Sequence, residues 1–176
     1  MLIWLPPSEG KNAPAQGPSL DVKALSRAGL ATSRRTVCDT LTALGDGPEA
    51  AAVLKVGARI DLSVNTALDS APCAPASSVF TGVLYEAIEE CAPGAWSSAG
   101  AAHVSIFSGL FGVLSPSDII PDHRLAMGVS LPGLGVLIFL FVCPHDYVSL
   151  VVTVFACVCD CISVLGCACV ILRVCL

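Results

Sequence analysis

The sequence predicts a mixed α/β (α+β) domain, and three observations carry that reading. A short apolar run, Leu2-Ile3-Trp4-Leu5, stops at Pro6-Pro7 in the manner of a buried strand feeding a loop. Val37, Leu41 and Leu44 then recur at the i, i+4, i+7 spacing of an amphipathic helix. Further on, His103 to Phe107 alternates as a strand does.

In chain order, the opening strand is followed by a loop from Pro6 to Pro18. Ser33 can cap the first helix, which Gly45 and Gly47 end. Pro48 suits the first turn of a second helix, Glu49 to Val56, which meets Gly57. A further helical pattern runs through Leu62, Asn65 and Leu68. After a turn at Thr81-Gly82, Val83 to Cys91 forms another amphipathic segment. The stretch 108–128 is dense in Pro, Asp, His and Arg, more than a plain connection needs, which suggests a rigid platform for a ligand.

With 176 residues the chain has room for about one domain with a real core. Its 55% hydrophobic and 13% charged residues depart from the usual soluble balance, and the excess is local. Residues 1–135 read as an ordinary domain. From Val136 to Leu176 there is one Arg, two Asp and no Lys or Glu, and seven of the ten cysteines lie there. Val148 to Leu172 is long enough to span a bilayer, but Asp160 near its middle would cost about 3 kcal/mol, which weighs against a membrane partner. The net charge of −5 argues against broad attraction to nucleic acid and leaves room for a local basic cleft. The first residues carry no basic n-region, so no signal peptide is expected.

Several motifs bear on chemistry. Pro6 to Lys11 follows a strand and ends in Gly-Lys, but the first glycine of a phosphate-binding loop is absent and Asn12 replaces Ser or Thr. What remains is either an anion-binding or catalytic Lys11 beside Glu9, or a solvated pair. Lys55, Gly57 and Arg59 between two helical patterns fit a helix-hairpin-helix that meets a phosphate, and equally an ordinary helical hairpin. Asp118, Asp122, His123 and Arg124 could supply acid, base and anion clamp, or could form a hydrogen-bonded turn. The three histidines are scattered and the tail cysteines are spaced C-x-C, so no metal site is expected. No dinucleotide fingerprint or nucleophile elbow occurs, and no cofactor is predicted.

MLIWLPPSEGK at the start, FTGVLYEAI at 80–88 and SGLFGVLSPSDIIPDHRLAMGVSLPGLG at 108–135 together resemble the peroxide stress protein YaaA family, in that family's order. The resemblance implies an α/β fold carrying a helix-hairpin-helix, in a cytoplasmic protein of bacterial type. It further implies a role in the response to hydrogen peroxide that limits free iron and oxidative DNA damage, with duplex DNA as partner. Lys11, Thr81, Tyr85, Ser108, Asp118, Arg124 and Met127 fall on motif positions, and Glu9 lies within the first motif.

Two departures stand inside the third motif: Ser115 where the family pattern has arginine, and His123 where it has tyrosine. After LPGLG the family's Phe-Trp segment and basic C-terminal part have no counterpart, so residues 136–176 read as a truncated or frame-altered part and the fold's C-terminal half as incomplete. Three functional readings follow. One is a DNA-binding stress protein; another is an enzyme acting on a nucleotide or phosphorylated small molecule, with Lys11 and Arg124 as anion contacts. The third is an inactive truncated product.

Overall fold

The computed structural model describes residues 2–57 and 59–136, with Gly135 and Val136 as backbone only. The expectations for the tail, including the span Val148 to Leu172, lie outside the described residues, as all of the tail does but the backbone of Val136.

The observed class is mixed α/β. Strand β1 (Ile3–Leu5) is the opening apolar run, ended where Pro6 and Pro7 remove backbone donors. It pairs in parallel with β3 (Val104–Ser108), Ile3 opposite Val104 and Leu5 opposite Ile106. Strand β4 (Gly112–Leu114) returns antiparallel, so the sheet order is β1-β3-β4. Two small antiparallel pairs complete the strands. One joins β2 (Ala74–Pro75) to β5 (Ile119–Ile120), the other β6 (Ser130–Leu131) to β7 (Gly135–Val136). His103, expected in a strand, instead closes a 3-10 turn that leads into β3.

Helix α1 (Ala31–Leu44) buries Arg34, Val37, Cys38 and Leu41 and ends at Gly45, whose φ of 76° suits glycine. It starts before Ser33, because a 3-10 turn at Ala28–Leu30 runs directly into it; Ser33 lies inside the helix and does not cap it. Helix α2 (Pro48–Leu54) has proline in its first turn, as expected. It does not run on to Gly57. Lys55 turns left-handed at φ 56°, its amide reaches the Ala52 carbonyl, and the Val56 amide reaches Ala51. That is a Schellman closure with lysine at the position glycine usually takes. Helix α3 (Ser63–Thr66) is a single turn whose first amide is taken by the Asp61 carboxylate at 2.9 Å. The segment drawn as a possible helix-hairpin-helix is therefore a two-turn helix, a lysine-capped turn and one further turn. Helices α4 (Ala76–Val79) and α5 (Val83–Cys91) follow.

The core gathers around β3 and α1: Leu41, Phe80, Ile106, Phe111, Leu114 and Ile120 are buried among one another. Each such side chain contributes about 1.5–3 kcal/mol. Most of 108–125 is buried with them and does not form an exposed loop. Gly109, in the β3–β4 turn, lies so near the next segment that a Cβ there would meet the Leu125 carbonyl at 2.7 Å. This close approach brings residues 121–127 against the end of β3.

Candidate functional site

The Pro6–Asn12 loop leaves β1 and is pinned along its length. The Tyr85 hydroxyl donates to the Pro6 carbonyl at 2.8 Å. The Thr81 amide donates to the Gly10 carbonyl and to Ser8 Oγ, at 3.1 and 3.0 Å. The Asn12 amide donates to the Val79 carbonyl at 2.9 Å. A Cβ on Gly10 would stand 2.9 Å from Thr81 Oγ1, so the loop lies directly on the Thr81 turn.

These contacts hold Lys11 with its Nζ 2.9 Å from the Ser8 carbonyl and 5.4 Å from the centroid of the Phe80 ring. Among the described residues no carboxylate is ion-paired with it. Burial, and then the Arg124 charge, push the amine down to about 8, against the opposing pull of Asp122 and Glu9. Glu9 itself is exposed.

Arg124 is carried on a backbone that Asn65 grips at both ends. The Arg124 amide donates to Asn65 Oδ1 at 2.8 Å, and Asn65 Nδ2 donates to the Arg124 carbonyl at 3.0 Å. Asn65 is fully buried, and its own carbonyl accepts from Thr42 on α1 at 3.2 Å. The guanidinium uses Nη1 for Asp122 and for the His123 carbonyl. Asn65→Ala leaves the Arg124 amide and carbonyl unpaired in the interior. The expected loss is about 2 kcal/mol of stability, read from urea denaturation.

His123 is fully buried against Phe80 and Phe111, its ring centroid 6.0 and 5.2 Å from theirs and its plane nearly perpendicular to both. A carbonyl only accepts, so His123 Nδ1 carries the proton toward Pro121 at 3.0 Å. Nε2 then faces the Ser108 hydroxyl at 3.5 Å, and Ser108 Oγ accepts the Leu110 and Phe111 amides at 3.2 Å each. Burial, Lys11 and Arg124 push the imidazole down to about 3, outweighing the Pro121 carbonyl. His123 is a neutral ring in the wall of the site.

The other candidate residues lie elsewhere. Asp118 faces Ser26 and Ser115, taking the Ser26 amide and hydroxyl at 2.8 and 2.5 Å and the Ser115 amide at 2.9 Å. These bonds tie the Ser115–Asp118 turn to the chain before α1. Lys55, Gly57 and Arg59 are exposed in the α2–α3 connection, where a Cβ on Gly57 would meet open space. Asp61, held below its ordinary value by Ser63, accepts that residue's amide and hydroxyl at the end of the connection. Tyr85 stacks on Phe80 and Trp96, and Met127 is half-buried.

Sequence reasoning missed Ser8, Asn65 and Phe80 as parts of this constellation. Phe80 and Ser8 sit inside quoted motifs, whereas nothing local marks Asn65. Cys38 and Cys73 are buried thiols pushed up to about 12 and about 11 by burial, far from a reactive thiolate. Among the described residues no group of three or more His, Cys, Asp or Glu could hold a metal ion, and no helix is long and apolar enough to cross a membrane.

The geometry therefore couples Lys11 electrostatically to Arg124, from opposite ends of the described chain, with Asp122 ion-paired to Arg124. Comparison with known proteins gives it a setting. The chain is 42% identical over 142 residues to a UPF0246 protein of Streptomyces coelicolor, covering 78% of this chain and 55% of that protein. UPF0246 proteins of Corynebacterium efficiens and Corynebacterium glutamicum are 38% and 37% identical, over 76% and 75% of this chain and 54% and 53% of theirs. The chain thus spans about half the length of the curated relatives it matches. The family model described as peroxide stress protein YaaA matches residues 1–137. On that match and these relatives, the chain belongs to the YaaA (UPF0246) peroxide stress protein family.

Proposed function

We propose that this protein serves the response to hydrogen peroxide in the cytoplasm as a phosphate-binding protein whose ligand is duplex DNA, limiting free iron and oxidative damage to DNA. The observation that supports it is that Lys11 Nζ lies over the Phe80 ring and Phe80 packs on His123, the residue before Arg124, with no carboxylate ion-paired to Lys11 among the described residues. Asp122 is ion-paired with Arg124, so the charge left without a paired carboxylate is that of Lys11, which a bound anion relieves. Exposed Lys55 and Arg59 on the α2–α3 connection add positive charge for a longer polyanion. The net charge of −5 favours a second reading, in which the anion is a nucleotide or another phosphorylated small molecule.

Salt dependence separates the two. Fluorescence anisotropy of a labelled duplex is measured at 50 and 200 mM salt with the full chain, Lys11→Ala and Arg124→Ala. Each variant is expected to bind about ten-fold more weakly and to reduce the log–log salt slope by about 1. Parent-like binding by both folded variants overturns the site. Nucleotide binding with a shallow slope and no duplex binding favours the second reading.

A further inference from the structure

The Lys11 amine is held in an unusual way for a lysine that only binds anions. Its Nζ donates to a neutral carbonyl, that of Ser8, and lies against the face of Phe80. A carboxylate partner would lock the ammonium form, whereas a carbonyl and a ring leave the nitrogen lone pair free once the proton departs. Arg124 commits only Nη1, to Asp122 and the His123 carbonyl; among the described residues its Nε and Nη2 have no partner. Lys11 thus brings a positioned nitrogen and Arg124 an uncommitted edge of guanidinium, which suits two phosphate oxygens.

We propose that Lys11 is a nucleophile that condenses with a phosphate-bearing aldehyde, whose phosphate Arg124 takes. The proposal rests on the reading of Lys11 and Arg124 as an anion site and adds a covalent step to it. The neutral amine attacks the carbonyl carbon, a C–N bond forms, and the carbonyl π electrons move to oxygen. The resulting carbinolamine expels that oxygen as water with both amine protons, leaving a C=N bond. Amine and aldehyde become imine and water, and no oxidant or reductant is consumed. With the amine lowered to about 8, half of it is neutral at pH 8. A lysine at its ordinary value is then about 0.4% neutral. Asp122 and Glu9 are the carboxylates whose charges act on the amine. An aldehyde flanked by phosphate occurs in phosphorylated sugars and in the opened deoxyribose of an abasic site in DNA, and both present the same chemistry to the site.

Reductive trapping tests this. The full chain at pH 8 is incubated with cyanoborohydride and one of three probes: glyceraldehyde 3-phosphate, glyceraldehyde, or a duplex bearing an abasic site. Peptide mapping then measures the adduct at Lys11 against Lys23 and Lys55. Lys11 is expected to react at least ten-fold faster than either, and ten-fold faster with the phosphorylated aldehyde than with glyceraldehyde. Arg124→Ala should erase the phosphate preference, and Lys11→Arg should remove the adduct while the chain keeps its near-UV circular dichroism. A preference for the abasic duplex assigns the aldehyde to DNA; a preference for the free phosphate ester assigns it to a small molecule. Equal labelling of the three lysines overturns the proposal. If pyrophosphate still binds in that case, the anion site stands without the covalent step; if it does not, both readings fall.

Discussion

Arg34→Ala is expected to cost about 3–5 kcal/mol of stability, through a lost link between helix and sheet and the cavity left behind. Arg34 has no exposed surface, and it lies on the buried stripe of α1 in phase with Val37, Cys38 and Leu41. Its Nε donates to the Phe111 carbonyl and its Nη2 to the Val113 carbonyl, both at 2.8 Å, so one side chain fastens α1 to the β3–β4 turn and to β4. Alanine leaves those carbonyls without their donor and opens a cavity the size of the missing side chain. Arg34→Met fills the space without the hydrogen bonds and should lose about half as much. Urea denaturation measures both. A loss below about 1 kcal/mol for alanine would show that the carbonyls find water and that the link is dispensable.

The second large effect appears in acid. His123 is held neutral inside the fold, its value about 3 against an ordinary 6.5, so the unfolded chain takes up its proton first. Its contribution to stability is whole above pH 6.5 and is lost as pH falls from there toward 3. The slope for one proton is about 1.4 kcal/mol per pH unit. The groups that face it act in the same direction: Lys11 and Arg124 repel a charged ring, while Phe80 and Phe111 cannot solvate one. Urea midpoints at pH 7, 6 and 5 should show the native chain weakening faster than His123→Tyr by about that slope. Parallel pH profiles would mean that the site opens to water on protonation and the penalty is not paid.

What was legible in the sequence was whatever local chemistry dictates. The stop after Leu5, the end of α1 at Gly45, the start of α2 at Pro48 and the run of α5 each depend on a proline, a glycine or a repeat that acts within a few residues. Strands β4 to β7 span two or three residues each, and such pieces have no pattern of their own; their form comes from partners such as Ile106 opposite Leu114. The turn after α2 was expected at Gly57 and occurs at Lys55, where the two carbonyl closures of the helix end offset the strain of a left-handed lysine. Lys11, Thr81 and Arg124 were marked by their motifs, but their depth was not. Arg34 carries a signal in retrospect, since an arginine in phase with an apolar stripe is either exposed by a twist or buried with partners. The grip of Asn65 on Arg124 joins residues 59 apart and is invisible to any window of sequence.

The parallel pairing of β1 with β3 also sets an order in time. Ile3 finds Val104 only after about one hundred further residues have been made. At about 5–20 residues per second the first strand of a nascent chain waits several seconds for its neighbour. Until β3 leaves the ribosome, Leu2 to Leu5 is an apolar stretch without a sheet, and the loop bearing Lys11 has only residues 79–85 to rest on. The proposed anion site is therefore among the last features to assemble during synthesis, and a ribosome that stalls before Arg124 releases a chain in which it cannot form.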